Sequence, residues 1–482
     1  MRILSKSGPA VLTTLALAAA TVVAACDTVK TNLLEATNPT IIDPGSVQSA
    51  PGAIAVRNGA LARLRTATAD GESTWLFGGL LVDEWATSST FVQNDETDQR
   101  SIQLNNATIN TELRALYRVR TDANQAIALL QKWRPTPTAD IGEMYFARGF
   151  AELQLASDFC NGIPLSDGAD AAITLGKPLP VKDVFAAASA SFDTAMTLSS
   201  GTDAASLQVN RASRIAKARA LLGLGLSNAA AAAALVNGIA TTYRYDVTAS
   251  LTGGNNILWS QPASSNRYTI SDSVQGNGRS ITVLNAIPFL SAHDPRVPAH
   301  YKIASNGRDS VKSQDGNTYV IQVDSLWGQT SATALVSGLD ARLIEAEAAQ
   351  AAGNAAGMLS ILNSLRATQI QLTAPSPTAT GTHPGWTTPV MSPLTDPGTD
   401  FARVSLLFRE KAFWEFGRGY RLGDLRRLIR DYGRKADGSD AGGYPIGPHF
   451  KGGVFGKDLN LPVTTDEQTG NPNFSSCLDR NA

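Results

Sequence analysis

Residues 401–432 read FARVSLLFREKAFWEFGRGYRLGDLRRLIRDY. Apolar side chains recur at Val404, Leu407, Phe408 and Ala412, then at Leu422, Leu425, Leu428, Ile429 and Tyr432. That spacing predicts a helix on each side of Gly417-Arg418-Gly419, where the two glycines interrupt the pattern. The polar faces carry Arg409, Glu410, Glu415, Arg421, Asp424, Arg426 and Arg427. Two readings fit: a basic binding surface, or a helix–turn–helix clamp that ties the last part of the fold to the rest. The interleaved acids favour the clamp. Arg421 and Asp424, and Asp424 and Arg427, stand at i,i+3, within pairing reach. The expected role of these three residues is structural: the clamp packs on the helices of residues 335–368 and locks the C-terminal tail.

The same helical spacing runs through most of the chain. Helices are expected over Val47–Thr68, Phe77–Trp85, Glu112–Trp133, Ala139–Phe159, Val181–Leu198, Arg211–Leu226 and Asn228–Val236, then over Leu335–Ala352 and Ala355–Thr368. Small residues sit at internal positions, such as Ala147 and Ala151, Ala216 and Ala220, and Ala346 and Ala348, and they let neighbouring helices approach closely. Paired helices in units of about 34 residues suggest tetratricopeptide-like stacking. The expected fold is mainly α, with helix pairs forming a right-handed α-α superhelix. Between about 241 and 330 the stripes fade and Gly, Asn, Ser, Thr and Tyr accumulate, which reads as a large loop-rich insertion with a short strand at Thr318–Val323. Polar loops are expected over Ala86–Asn110 and Leu372–Asp400.

The N-terminus reads as an address. Arg2 and Lys6 precede an apolar run, Ala10–Ala24, which is too short to span a bilayer comfortably. The run ends in Val23-Ala24-Ala25-Cys26, small residues before a cysteine, as in a secretory signal with a lipoprotein box. Residues 1–25 are then the signal peptide, Cys26 the lipidated residue and 26–45 a tether, and residues 46–482 form one domain. Removing Arg2 and Lys6 from the 41 basic side chains leaves 39 against 42 acidic ones, a net charge of −3. That balance gives no reason to expect nucleic acid, and lipid is the expected membrane anchor. Cys160 and Cys477 remain as an even pair in an oxidising compartment, where such pairs are usually bonded; two unpaired thiols are the alternative.

Four patches, in order, resemble the SusD/RagB family of outer-membrane nutrient-binding lipoproteins. Ala147-Arg148-Gly149-Phe150-Ala151-Glu152-Leu153, continuing through Asp158 to Pro164-Leu165, is similar to a family helix that ends in an aromatic residue, a glycine and Pro-Leu. Asp340–Ala348 with Leu362-Asn363-Ser364-Leu365-Arg366 resembles the paired "AEA … LN-x-x-R" motif. Gly419, Arg421, Asp424, Leu425 and Arg427 match "G-x-R-x-x-D-L-x-R", with Arg418 standing where the family usually has Glu. Leu461-Pro462-Val463 and Asn471-Pro472-Asn473 resemble the closing segment. The match covers most of the chain after Cys26 and is weakest from about 241 to 330. The resemblance implies a non-enzymatic protein, lipid-anchored at the outer membrane and facing outside. It also implies a SusC-like TonB-dependent transporter as partner and an oligosaccharide or other small nutrient as ligand.

Composition offers no competing chemistry. There are four histidines, no HExxH, no CxxC and no GxSxG. His293 and His300 flank Asp294-Pro295-Arg296, which reads as a turn rather than a metal site, and no metal or cofactor is expected. Sugars are held by aromatic faces and planar polar groups. The loop-rich stretches 70–110 and 245–330 supply these, and because the resemblance implies sites in these two parts of the chain, the favoured candidates are Trp75, Trp259, Tyr268 and Trp327 with Asn266 and Arg267. A helical-repeat scaffold for proteins, or a binder of peptides or other nutrients, is the alternative.

Overall fold

The structure is a computed structural model that describes residues 47–168, 173–275 and 277–482. The expected signal peptide, Cys26 and the tether lie outside the described residues.

Helices start where the chain supplies caps. Helix α1 (Ala50–Ala69) begins at Ser49, whose Oγ accepts the Gly52 N–H at 3.1 Å, with proline in its first turn. Helix α2 covers Thr74–Leu81 and α3 Val92–Asp98. Helix α4 (Ala107–Trp133) is capped by Asn106, whose Oδ1 accepts from Thr108 and Ile109, and α5 follows at Thr138–Asp158. Then come α6 (Val181–Leu198), α7 (Ala204–Gly223, capped by Asp203) and α8 (Ala229–Val236). After the loop-rich stretch, α9 (Gly338–Ala351) opens on a capping box between Ser337 and Asp340, and α10 covers Ala355–Arg366. Next come α11 (Asp400–Trp414) and α12 (Arg421–Tyr432), followed by a tail with one short helix, Thr465–Gly470.

Successive helices pack on one another: α1 on α4, α4 on α5, α5 on α6, α6 on α7, α7 on α8, α8 on α9 and α9 on α10. This is the stack of a helical, tetratricopeptide-like fold. Ala147, Ala151, Ala216, Ala220 and Ala346 are all fully buried within it. At Gly149 a β-carbon would meet the Phe192 ring at 2.8 Å, so α5 and α6 lie closer there than any side chain allows. None of the helices among the described residues is long and apolar enough to cross a membrane.

Several boundaries differ from the sequence expectation. Residues 86–110 are not simply loop: they hold strand β1 (Trp85–Thr87) and helix α3. Strand β2 is Arg244–Val247 and β3 is Tyr268–Ile270. Helix α9 was expected from Leu335, but Thr333–Ser337 forms strand β4, antiparallel to β2. The strand expected over Thr318–Val323 shrinks to Ile321–Gln322, paired with His300–Tyr301. Residues 372–400 begin with short antiparallel pairs rather than plain loop.

The stretch 401–432 bridges two parts of the stack. Helix α11 packs on α9, while α12 docks on α2 and α5, near the start of the chain. The i,i+3 bond expected between Arg421 and Asp424 is replaced by a longer-range one. Arg421 Nε and Nη2 donate to Asp83 Oδ1 and Oδ2 at 2.8 and 3.0 Å, because α12 lies against the segment that follows α2. Asp424 instead accepts from Lys411 Nζ at 2.8 Å and Arg427 Nη1 at 3.3 Å. Lys411 and Arg427 both reach Glu347 on α9 as well. Burial raises the Glu347 pKa, but these two cations outweigh it and hold the carboxyl at about 2. The tail is anchored mostly elsewhere. Arg100 donates to the carbonyls of Asp458 and Pro445, Cys160 N–H bonds Leu461 O at 2.9 Å, and Cys160 is disulfide-bonded to Cys477.

Candidate ligand-binding face

The two loop-rich stretches meet through a strand pair. Strands β1 and β3 are antiparallel, with Trp85 opposite Ile270 and Thr87 opposite Tyr268. The pairing continues outward: Ser88 N–H donates to Arg267 O at 3.0 Å, Gln314 N–H to Asn266 O at 3.1 Å, and Asp315 N–H to Ser88 O at 3.1 Å. Residues 85–91, 266–270 and 313–315 thus form one continuous piece of structure.

At its edge Phe91 is half exposed, and the Arg267 guanidinium lies 4.3 Å from its ring centroid. This aromatic face beside a planar donor is the geometry that a sugar ring uses. Asn266 takes a left-handed backbone (φ 52°), and its Oδ1 accepts from Lys302 Nζ at 2.8 Å. Lys302 also donates to Ala263 O, so Asn266 closes the helical turn of residues 260–265. Trp259 is partly buried, at the end of a turn held by Asn256, whose Oδ1 accepts Leu258 N–H and whose Nδ2 donates to Ser331 O.

The other three aromatic candidates lie deeper. Trp75 has no exposed surface, and its Nε1 donates to Gln154 Oε1 at 3.3 Å. Trp327 is buried in a group with Trp85 and Phe416, with ring centroids 5.3 to 6.5 Å apart. Tyr268 is buried on β3, and that burial pushes its hydroxyl pKa well up. The structure therefore brings Asn266, Arg267 and Trp259 to the surface side, with Trp75, Tyr268 and Trp327 beneath.

A third segment joins the face, from the tail. Lys451 Nζ donates to Ser89 O at 3.1 Å and pairs with Asp95 at 3.2 Å. Burial raises the Asp95 pKa and Lys451 pulls it back. Arg279 lies 3.5 Å from the Phe450 ring centroid, and burial lowers its pKa to about 10 against the pull of Asp98, Asp315 and Asp95. Arg279, Ser89 and Asp95 belong to the loop-rich stretches expected to hold ligand, whereas Phe450 and Lys451 come from the tail, where no contact is expected. The aromatic, basic and glycine-rich run His449-Phe450-Lys451-Gly452-Gly453-Val454-Phe455 was the available signal.

The histidine turn is structural. Arg296 donates to Asp294 through its backbone N–H, Nε and Nη2 at 3.0, 2.8 and 2.7 Å, then reaches Glu410 on α11 at 2.7 Å. His300 Nε2 lies 3.1 Å from Asp324 Oδ1, and that bond raises its pKa. No group of three or more His, Cys, Asp or Glu with metal-binding geometry occurs among the described residues.

No protein-family model matches the chain, and neither does any curated protein. Solved structures do. A SusD superfamily protein from Bacteroides vulgatus ATCC 8482 aligns with a TM-score of 0.60 at 14% identity, over 89% of this chain and 98% of that one. A SusD-like carbohydrate binding protein from Bacteroides fragilis NCTC 9343 gives 0.61 at 14%, over 89% and 99%. A SusD superfamily protein from Bacteroides fragilis gives 0.58 at 16%, again over 89% and 99%. At such identities the likeness is one of fold, and it spans nearly the whole length of each of these chains.

Proposed function

We propose that this protein, which has the SusD fold, is a non-enzymatic cell-surface lipoprotein that binds a glycan and passes it to a SusC-like TonB-dependent transporter. Cys26 carries its lipid anchor in the outer membrane, and residues 46–482 act as one domain. One observation supports the binding role above others. The β1–β3 pairing joins the two loop-rich stretches and leaves the Phe91–Arg267 stack at their exposed edge. Asn266 stands next to Arg267 in the chain and Trp259 is partly buried, so both remain candidates, while Trp75, Tyr268 and Trp327 are buried and serve the core. Capture raises the local ligand concentration, and energy for import comes from the TonB system.

The test is a glycan array with the purified protein, repeated with Phe91→Ala and Arg267→Ala. Saturable glycan binding that both changes abolish supports the reading. Binding to peptides alone favours the scaffold alternative. Co-purification from outer membranes tests the partner: recovery without a β-barrel overturns the transporter part.

A further inference from the structure

Away from that face, a cavity of about 230 Å³ lies between the loop of residues 285–287, helices α11 and α12, and residues 441–442. Its volume is many times the roughly 10–15 Å³ that one water needs. Three guanidinium groups line it, those of Arg409, Arg421 and Arg434, together with Asn285, Ser405 and Phe408; no carboxylate does.

The three arginines are not equivalent. Arg421 is neutralised by its two bonds to Asp83. Arg434 is only 4% exposed. Its Nη2 donates to Phe401 O at 2.7 Å and Ser405 Oγ at 3.0 Å, and its Nη1 is buried with no hydrogen-bond partner. Arg409 makes no hydrogen bond or ion pair among the described residues and only approaches the Phe413 ring, at 5.1 Å. The acids nearby are engaged elsewhere. Asp294 and Glu410, near Arg409, are held by Arg296, and Glu410 by Arg366 as well. Asp400 and Asp440 lie near enough to act on the Arg434 charge, but neither forms an ion pair with it among the described residues. A buried guanidinium nitrogen without an acceptor is costly, and an oxyanion supplies that acceptor.

We propose that this cavity is an anion-binding pocket that takes the carboxylate or sulfate group of a small ligand between Arg409 and Arg434. The bonds to Phe401 O and Ser405 fix the Arg434 fork in advance, and the exposed Arg409 closes over the anion from the solvent side. Burial lowers the Arg434 pKa against the pull of Asp440 and Asp400. The pocket is separate from the Phe91–Arg267 face. Its existence does not depend on the glycan reading; a sugar acid as the source of the carboxylate does.

The test is calorimetric titration of the full-length protein, at constant ionic strength, with sodium sulfate against sodium chloride and with galacturonate against galactose. Saturable binding of sulfate or galacturonate, with none of chloride or galactose, is expected. Arg409→Gln and Arg434→Gln should each weaken it at least about tenfold, the usual loss for a charge-assisted bond. Arg434→Gln also removes the Phe401 bond; should that variant misfold, Arg409→Gln carries the test. Binding of sulfate alone assigns the pocket to a free inorganic anion, and tighter binding of galacturonate assigns it to a sugar acid. Sulfate binding no better than chloride, galacturonate affinity no higher than that of galactose once the glycan face is removed by Phe91→Ala, or anion affinity unchanged in Arg409→Gln overturns the proposal.

Discussion

Gly419 lies directly against Trp75: a β-carbon at position 419 would sit 2.0 Å from Trp75 Cδ1. Gly419 also has a left-handed backbone, φ 71°, which favours glycine. Gly417 does the same for Trp327, where a β-carbon would be 2.6 Å from the ring. The interruption between α11 and α12 is therefore the seat for two buried tryptophans from distant parts of the chain.

Gly419→Ala should accordingly destabilise the protein. Overpacking costs about 1–3 kcal/mol, and the left-handed backbone adds about 1–2 kcal/mol. Urea unfolding followed by tryptophan fluorescence measures the sum. A midpoint equal to that of the unaltered protein would show that the Trp75 contact is slack.

Arg418 provides the second tie across the same turn. Its Nη1 and Nη2 donate to Asp340 Oδ1 and Oδ2 at 2.9 and 2.8 Å, and its Nε donates to Ala334 O. Burial raises the Asp340 pKa, and Arg418 more than reverses this, with help from the Tyr420 hydroxyl. Asp340→Ala leaves a buried cation unpaired and should cost about 3–5 kcal/mol. The double change Asp340→Ala with Arg418→Met should cost less than the two single changes added together. Strict additivity in that cycle would mean that the pair does not act as a unit.

The helical stack was legible because its signals are local. Val181–Leu198 was bounded correctly at both ends, with Pro180 before it and its apolar stripe within it. Strand β4 was misread because Leu335 and Leu339 are spaced for a helix, while all five residues of Thr333–Ser337 are buried, a run that periodicity cannot assign. The contacts that shape the candidate face are long-range. Thr87 meets Tyr268, and Arg421 meets Asp83 across 338 positions. Nothing near Trp75 or Trp327 in the sequence indicates that glycines far along the chain will cover them. Composition therefore ranked buried aromatics beside exposed ones.

Phe91 and Arg267 separate binding from stability. Phe91 is half exposed, and among the described residues the Arg267 side chain makes the ring contact and a 3.4 Å bond to Ser89 Oγ. Phe91→Ala and Arg267→Ala should each change folding stability by no more than about 0.5 kcal/mol. Glycan affinity should fall at least about tenfold in each. Loss of affinity accompanied by an equal loss of secondary structure on circular dichroism would reassign the pair to the fold.

Glu84 should make stability depend on pH. Its Oε1 accepts the Gly417 N–H at 2.9 Å, while Oε2 is buried without a partner. Burial raises its pKa to about 8; the Gly417 bond and Arg421 oppose this, and Asp83 and Asp424 add to it. The folded protein thus holds a proton that the unfolded chain releases near the ordinary glutamate value of 4.5. The sign follows from proton counting: the raised pKa contributes stability fully below about pH 4.5, and that stability is lost as pH rises toward 8. Glu84→Gln should remove this slope, so melting temperatures of the two proteins should diverge between pH 5 and 8, two experimental settings on the order of the window just given. Parallel curves would place the proton elsewhere.

The disulfide joins Cys160 and Cys477 across a sequence separation of 317. Other contacts hold the same ends together. Asn161 O accepts Leu478 N–H at 2.7 Å, Asn161 Nδ2 donates to Asp479 at 2.7 Å, and Arg480 bonds Asn460. The tail should therefore stay docked when the bond is reduced, while the unfolded chain gains freedom. Reduction should cost about 2–5 kcal/mol, the range for native disulfides. Cys160→Ala with Cys477→Ala should match the reduced protein in a denaturant series and bind glycan as the unaltered protein does. A tail that becomes protease-sensitive under native conditions in the double variant would show instead that the covalent bond, and not the hydrogen bonds around Asn161, keeps it in place.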